Sequence, residues 1–349
     1  MYVINYYFLF LIFLFLITLI IIKFKGIEYV KNDKKYLIFI FLLLTFFLAF
    51  KSENVGVDAD SYRDIFYDIS KLSFFKVYSY DRYEIGYKYL CKLISFIWNN
   101  YQFFLFIIAF IEMFGFYYFI KKYSKNYALS LFIFITFETY MLTFGVLRQA
   151  IALSISLFAF KYIDEKKILK FILTILIASL FHKTAAIFLL AYPLQYLKIN
   201  KKSMFLFTAF LTMVILFGKE IVLFIMKYIY MPSTPTFNGG HGYKMILLLY
   251  LICMFSYMYN TKLIYQDKKN NILLPMIMLG TLIQCLAPTY KNTGRLVIYF
   301  FPFIDIVIPN ICEIINNKKL KLILIVIMIF SLSIFFFIRT ENLLYEIFL

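Results

Sequence analysis

The nonapeptide FGVLRQAIA, residues 144–152, places Arg148 and Gln149 between two apolar runs. A guanidinium at the edge of hydrocarbon is costly unless something anionic or aqueous receives it. Its planar fork matches phosphate or carboxylate oxygens in a way an ammonium does not. Gly145 precedes it, and Ala150, Ala152, Ser154 and Ser156 follow, a face suited to tight helix packing or to lining a cavity. An interfacial arginine that merely snorkels to headgroups is the simpler alternative. His182 and Lys183 interrupt another apolar stretch, LFHKTAAIF, and Arg295 follows Tyr290 and Lys291 in PTYKNTGRLVIYF. Neutral histidine is suited to general base work and Lys183 to holding an anion. Converged, these groups would hold two phosphates while a leaving group departs.

The acids offer a second set. Asp58 and Asp60 form a DxD pair, a pattern that can hold a divalent cation on a phosphate. Helix capping explains Asp60 about as well, because Ser61 and Asp64 have the spacing of a capping box. Glu84, in YEIGY, is either a salt-bridge partner or a base. Glu112, Glu138, Asp305 and Glu313 fall inside apolar runs, where a carboxylate is a functional candidate by default. Asp305 lies about 15 Å along a helix from Arg295, too deep to pair with it directly.

The elements that must position these groups are helices in a membrane. The chain has 349 residues, 63% hydrophobic and 22% aromatic, with a mean hydropathy of +0.83. That composition predicts an all-α polytopic membrane protein, forming one domain over residues 1–349. About twelve transmembrane helices are expected, near 2–22, 36–50, 101–120, 127–144, 148–163, 168–181, 184–197, 203–217, 245–259, 272–287, 295–315 and 322–338. The first run reads as a retained span, since it lacks a basic leader and a small-residue cleavage site. The net charge of +17 would suggest nucleic acid in a soluble protein; here it reads as topology, with no nucleic-acid partner. Six short basic loops between alternate spans carry 21 of the 36 basic residues. The positive-inside rule makes that side cytoplasmic and puts both termini outside. All five arginines and both histidines, His182 and His241, then fall on the outer side. The four cysteines lie far apart without zinc-ligand spacing, so no metal cluster or disulfide is expected.

Two outer segments interrupt the spans. In 51–100, apolar residues recur at Tyr62, Ile65, Phe66, Ile69 and Leu72, one face of a helix. A second amphipathic stretch covers Tyr83 to Trp98. Both should lie along the interface as a lid or shelf. In 218–244, an apolar piece from Ile221 to Tyr230 leads into MPSTPTFNGGHGY, a gate or a plain connector whose Pro and Gly forbid regular structure.

In this order, GVDADSYRDIFYDIS, YEIGYKYLCKLI, FGVLRQAIALSISLFAFKYI, SLFHKTAAIFLLAYPL and GRLVIYFFP run from residue 56 to 302. The chain resembles the EpsG family of bacterial exopolysaccharide proteins, which is similar to Wzy-type O-antigen and capsule polymerases. The Arg148-Gln149 pair opening one span and His182 near the end of the next match that family's habit. The resemblance implies a glycosyltransferase of the bacterial cytoplasmic membrane that joins undecaprenyl-diphosphate-linked oligosaccharide repeat units on the outer face. Arg148 and Arg295, helped by Lys183, would hold the diphosphate, and His182, Asp60 or Glu84 would take the acceptor proton. Gln149, Asp58, Tyr62, Tyr87, Lys291 and Tyr290 are the expected substrate contacts. No cofactor is expected; a divalent cation at Asp58 and Asp60 is the alternative to helix capping there. Membrane lipid, a chain-length regulator and a flippase of the same pathway are the expected partners. A lipid-linked oligosaccharide flippase would also need many spans and central charges, yet should carry them near the midplane. An outer-face ligase shares the donor chemistry.

Overall fold

The computed structural model describes residues 5–56, 58–228 and 242–340. His241, most of the MPSTPTFNGGHGY stretch and both chain ends lie outside the described residues. In chain order the helices are α1 (Tyr6–Lys25), α2 (Ile27–Asn32), α3 (Lys34–Ala49), α4 (Ala59–Lys71), α5 (Ile85–Ile97), α6 (Tyr101–Tyr123), α7 (Tyr127–Thr136), α8 (Thr139–Gly145), α9 (Leu147–Asp164) and α10 (Ile168–Ser179). After a long 3-10 segment, Lys183–Tyr196, come α11 (Lys201–Leu216), α12 (Gly218–Tyr228), α13 (Tyr243–Gln266), α14 (Leu273–Gln284), α15 (Gly294–Val297), α16 (Ile304–Ile314) and α17 (Lys318–Thr340).

Among the described residues, five helical stretches are long and apolar enough to cross a membrane: α1, α6, α13, the Gly294–Ile314 run and α17. Two bent pairs, α7 with α8 at 47° and α11 with the start of α12 at 79°, raise the number to seven. The protein is therefore a multi-pass, all-helical membrane protein. On α1 and α17 most apolar side chains face outward, an arrangement that only hydrocarbon solvates well. The expected spans at 36–50, 148–163, 168–181 and 272–287 fold as helices of 16, 18, 12 and 12 residues. The expected span at 184–197 is the 3-10 segment, 14 residues long. A 3-10 helix repeats every three residues, and Ala185, Phe188 and Ala191 are its fully buried positions. At about 2.0 Å per residue it extends about 28 Å.

The chain divides into two compact units, Met1–Ala186 with Ile315–Leu349, and Ile187–Ile314. In the first unit, α6 packs against α3 and α9, and α9 against α10. Small residues let α6 and α9 approach closely. A Cβ on Gly115 would sit 2.2 Å from Ser154 Oγ, Gly115 N–H donates to that oxygen at 3.1 Å, and Ser154 Oγ donates to Ile111 O at 2.7 Å. The small-residue face after Arg148 is thus a packing face. Gly115→Ala is expected to lower stability by about 2 kcal/mol through overpacking, read as a lower melting temperature of the detergent-solubilised chain.

Helices α4 and α5 pack on each other over one end of this bundle. Tyr62, Ile65, Phe66 and Ile69 of α4 meet Tyr87, Cys91 and Ile94 of α5, with Phe104 and Leu105 of α6 and Leu147 and Ile151 of α9. The face expected on α4 is the face it buries. Its start differs from expectation: Asp58 is the N-cap and makes no side-chain capping bond. Ser61 and Asp64 therefore lie inside the helix and form no capping box. With the helix starting at Ala59, Ser61 is its third residue, and the Asp64 carboxylate meets Arg63 at 3.7 Å; Arg63 also meets Asp60 at 3.2 Å and Glu53 at 3.3 Å. In the second unit, α13 packs on α14 and α16, and α12 turns off α11 sharply where an interfacial piece was expected.

Candidate functional site

Glu84 is the N-cap of α5, where the unpaired N–H groups of the first turn favour a carboxylate. Arg148 lies in the first turn of α9, where the same end-charge disfavours a cation. An acid beside it relieves that conflict, and the fold supplies one from 64 residues away. Arg148 Nη1 donates to Glu84 Oε2. The other carboxylate oxygen, Oε1, accepts from His182 Nδ1 at 3.0 Å and from the Lys183 backbone N–H at 3.2 Å. The three side chains are only 10%, 16% and 13% exposed for Glu84, Arg148 and His182, so the contacts are largely shielded from water.

One close approach makes the meeting possible. Gly86 N–H donates to Leu180 O at 2.8 Å, and a Cβ on Gly86 would lie 2.7 Å from that oxygen. Only glycine lets the start of α5 come this near the end of α10, and His182 follows two residues later.

Burial alone would raise the Glu84 pKa. The His182 hydrogen bond and the Arg148 charge outweigh it and bring the group from 4.5 to about 2. The carboxylate is therefore ionised and only accepts hydrogen bonds, which places the proton of His182 on Nδ1. In the neutral tautomer compatible with this contact, the lone pair of His182 is on Nε2. This is the arrangement in which a carboxylate fixes an imidazole tautomer and leaves the far nitrogen as base.

Tyrosines complete the cluster. The Arg148 guanidinium stacks on the Tyr83 ring, 3.7 Å from its centroid, a favourable cation–π contact. Tyr62 shares a hydrogen bond with Arg148, and burial pushes its phenol up to about 12 against the lowering pull of that arginine. The rings of Tyr62, Tyr83 and Tyr87 lie 5.7–5.8 Å apart. Tyr83 has φ +68°, a left-handed conformation that costs a non-glycine residue about 1 kcal/mol. Arg148 and the two rings hold it there.

Of the residues expected to carry chemistry, the structure brings together Arg148, His182, Glu84 and Tyr62, with Lys183 exposed beside them. Tyr87 and Gln149 are buried, Tyr87 as the prop beneath Tyr62 and Tyr83. Asp60 is exposed and pairs with Arg63; Asp58 stands at the N-cap position of α4 without a side-chain capping bond. No group of three His, Cys, Asp or Glu side chains that could hold a metal ion occurs among the described residues. In the second unit, Arg295 lies in α15, and Tyr290 accepts from Asn292 Nδ2 at 3.0 Å; Lys291 opens the 3-10 turn between them.

The acids inside apolar runs divide. Glu138 stands at the break between α7 and α8 and pairs with Arg339 of α17. Glu112 of α6 is fully buried, and neither of its carboxyl oxygens has a hydrogen-bond partner among the described residues. Sequence reasoning missed Tyr83, whose only local mark is its place beside Glu84. It also missed Lys51, which donates to Phe144 O at 2.6 Å and so satisfies a carbonyl of the last turn of α8.

The fold and this cluster define a multi-pass helical membrane protein with a shielded Arg–Glu–His site at one end of its helices. The chain matches the EpsG family over residues 34–347 and belongs to that family, which is implicated in exopolysaccharide biosynthesis. No curated protein and no solved structure matches it.

Proposed function

We propose that this EpsG-family chain is a polysaccharide polymerase, a glycosyltransferase acting on undecaprenyl-diphosphate-linked repeat units at the outer face of the bacterial cytoplasmic membrane. The observation that supports this reading best is the Glu84–His182 contact, with Arg148 on the same carboxylate. His182 Nε2 takes the proton of an acceptor sugar hydroxyl. The freed oxygen attacks the anomeric carbon of the growing chain, and undecaprenyl diphosphate leaves with the electrons of the broken C–O bond. Glu84 orients His182 and stabilises the imidazolium formed. Arg148, on the same carboxylate as His182, and exposed Lys183 hold the diphosphate. The proton gained by His182 makes the cluster more positive as charge develops on the leaving group.

Twelve crossings with both termini outside belong to this reading, and require the short helices and the 3-10 segment to span as well. A flippase and a chain-length regulator of the same pathway are the protein partners this reading implies.

His182→Ala is expected to abolish polymer while single lipid-linked repeat units accumulate on the outer leaflet, a loss of about 10²–10⁴-fold for a missing general base. Leaflet-selective labelling of the lipid-linked sugar measures it. Repeat units trapped on the cytoplasmic leaflet would instead make the protein a flippase.

A further inference from the structure

Helix α5 is apolar on two opposite sides. Tyr87, Cys91 and Ile94 face the core of the first unit. On the other side, Leu93, Phe96 and Ile97 point outward, Phe96 at 85% exposure, and Trp98 follows at 60%. The preceding turn adds Phe75 at 90%, next to Phe74, whose ring lies 5.1 Å from Tyr89 of α5. The lysines between these sides do not soften the outer face. Lys88 Nζ turns to Tyr78 O and Tyr80 O at 3.0 and 2.7 Å, and Lys92 Nζ to Ser70 O at 2.9 Å. A contiguous uncharged aromatic face of this kind calls for an apolar partner.

The ends of α5 say which partner. Its first turn is bonded to Leu180, at the end of α10. At its other end, Trp98 lies 5.3 Å from Phe103, in the first turn of the membrane-spanning α6. Only Asn99 and the N-cap Asn100 separate Trp98 from that span. The helix thus bridges the ends of two bundle helices, at the level where α6 begins. Exposed Lys71 and Lys76 flank the aromatic turn, placed for anionic headgroups.

We propose that α5 and the Phe74–Phe75 turn form an in-plane anchor, with the Phe75, Leu93, Phe96 and Trp98 face inserted in one leaflet of the bilayer. The Glu84 cluster, at the start of the same helix, is thereby held at headgroup depth. The anchor stands on the family-independent geometry of the first unit and does not need the polymerase reading.

Trp98 is the chain's single tryptophan, so its fluorescence reports the position directly. The full chain is reconstituted in phosphatidylcholine–phosphatidylglycerol bilayers whose acyl chains are brominated near the headgroup or near the chain end. Because Trp98 adjoins a span, W98F combined with F75W moves the reporter to the far end of the face. Both proteins are expected to emit at short wavelength, resist aqueous iodide, and lose most of their intensity to the shallow bromines and little to the deep ones. Long-wavelength, iodide-quenched emission from the F75W protein overturns the proposal, even if Trp98 is lipid-quenched. Short-wavelength emission that no bromolipid quenches also overturns it, and assigns the face to a second protein copy.

Discussion

Arg148→Lys is expected to abolish polymer formation, with a loss of about 10²-fold or more in turnover, while the protein folds and reaches the membrane. Lysine keeps the charge and can still meet Glu84. It cannot lie flat at 3.7 Å on the Tyr83 ring while also bonding Glu84 and Tyr62, because an ammonium is a point charge without a planar fork. Tyr83, held at positive φ partly by that stacking, loses its support. The change in stability should stay near 1 kcal/mol, as for a substitution that creates neither cavity nor unpaired charge. The assay is polymer yield from purified lipid-linked repeat units, with melting temperature as the check on folding. Polymer at the wild-type rate from the lysine variant would remove the guanidinium from the mechanism.

Glu84→Gln should lose both activity and stability. Glutamine fills the same space and accepts from His182 Nδ1, but leaves the Arg148 charge without a counter-ion in a site that is mostly shielded. Breaking such a pair costs about 3 kcal/mol, and a histidine without its carboxylate loses up to about 10⁴-fold in base catalysis. Acid supplies an independent reading. The Glu84 pKa falls from 4.5 to about 2 on folding, so the folded chain binds its proton less tightly than the unfolded one. Its contribution is complete above pH 4.5 and is lost as pH falls towards 2. Wild-type stability should therefore decline through that window, and the glutamine variant, already lacking the contribution, should decline less. Parallel pH profiles for the two proteins would show that Glu84 is not ionised in the way its contacts require.

Sequence legibility followed interaction range. The class of protein, the amphipathic α4 and α5 and the face α4 buries were readable because each depends on hydropathy and on a local helical period. Arg148, His182 and Glu84 were readable as candidates, since an ionisable group near hydrocarbon demands a partner wherever it sits. The N-terminus of α4 departs from the capping-box pattern because capping preferences are worth only about 1 kcal/mol, too little to fix the first residue of a helix whose buried face extends back to Ala59. Span counting met a different limit: hydropathy measures apolar residues and does not distinguish an α-helix from the 3-10 turns of Lys183–Tyr196.

By itself, the sequence determined that helices would carry a few costly polar groups into a membrane, because composition and periodicity are properties of neighbours along the chain. Which of those groups meet was decided only by the tertiary structure. Glu84 lies 64 residues from Arg148 and 98 from His182, and their contact depends on a glycine pressed against Leu180 and a tyrosine held at positive φ. No local pattern encodes such distances. Solvation makes each charge seek a counter-charge, but close packing among α5, α9 and α10 selects the one it finds.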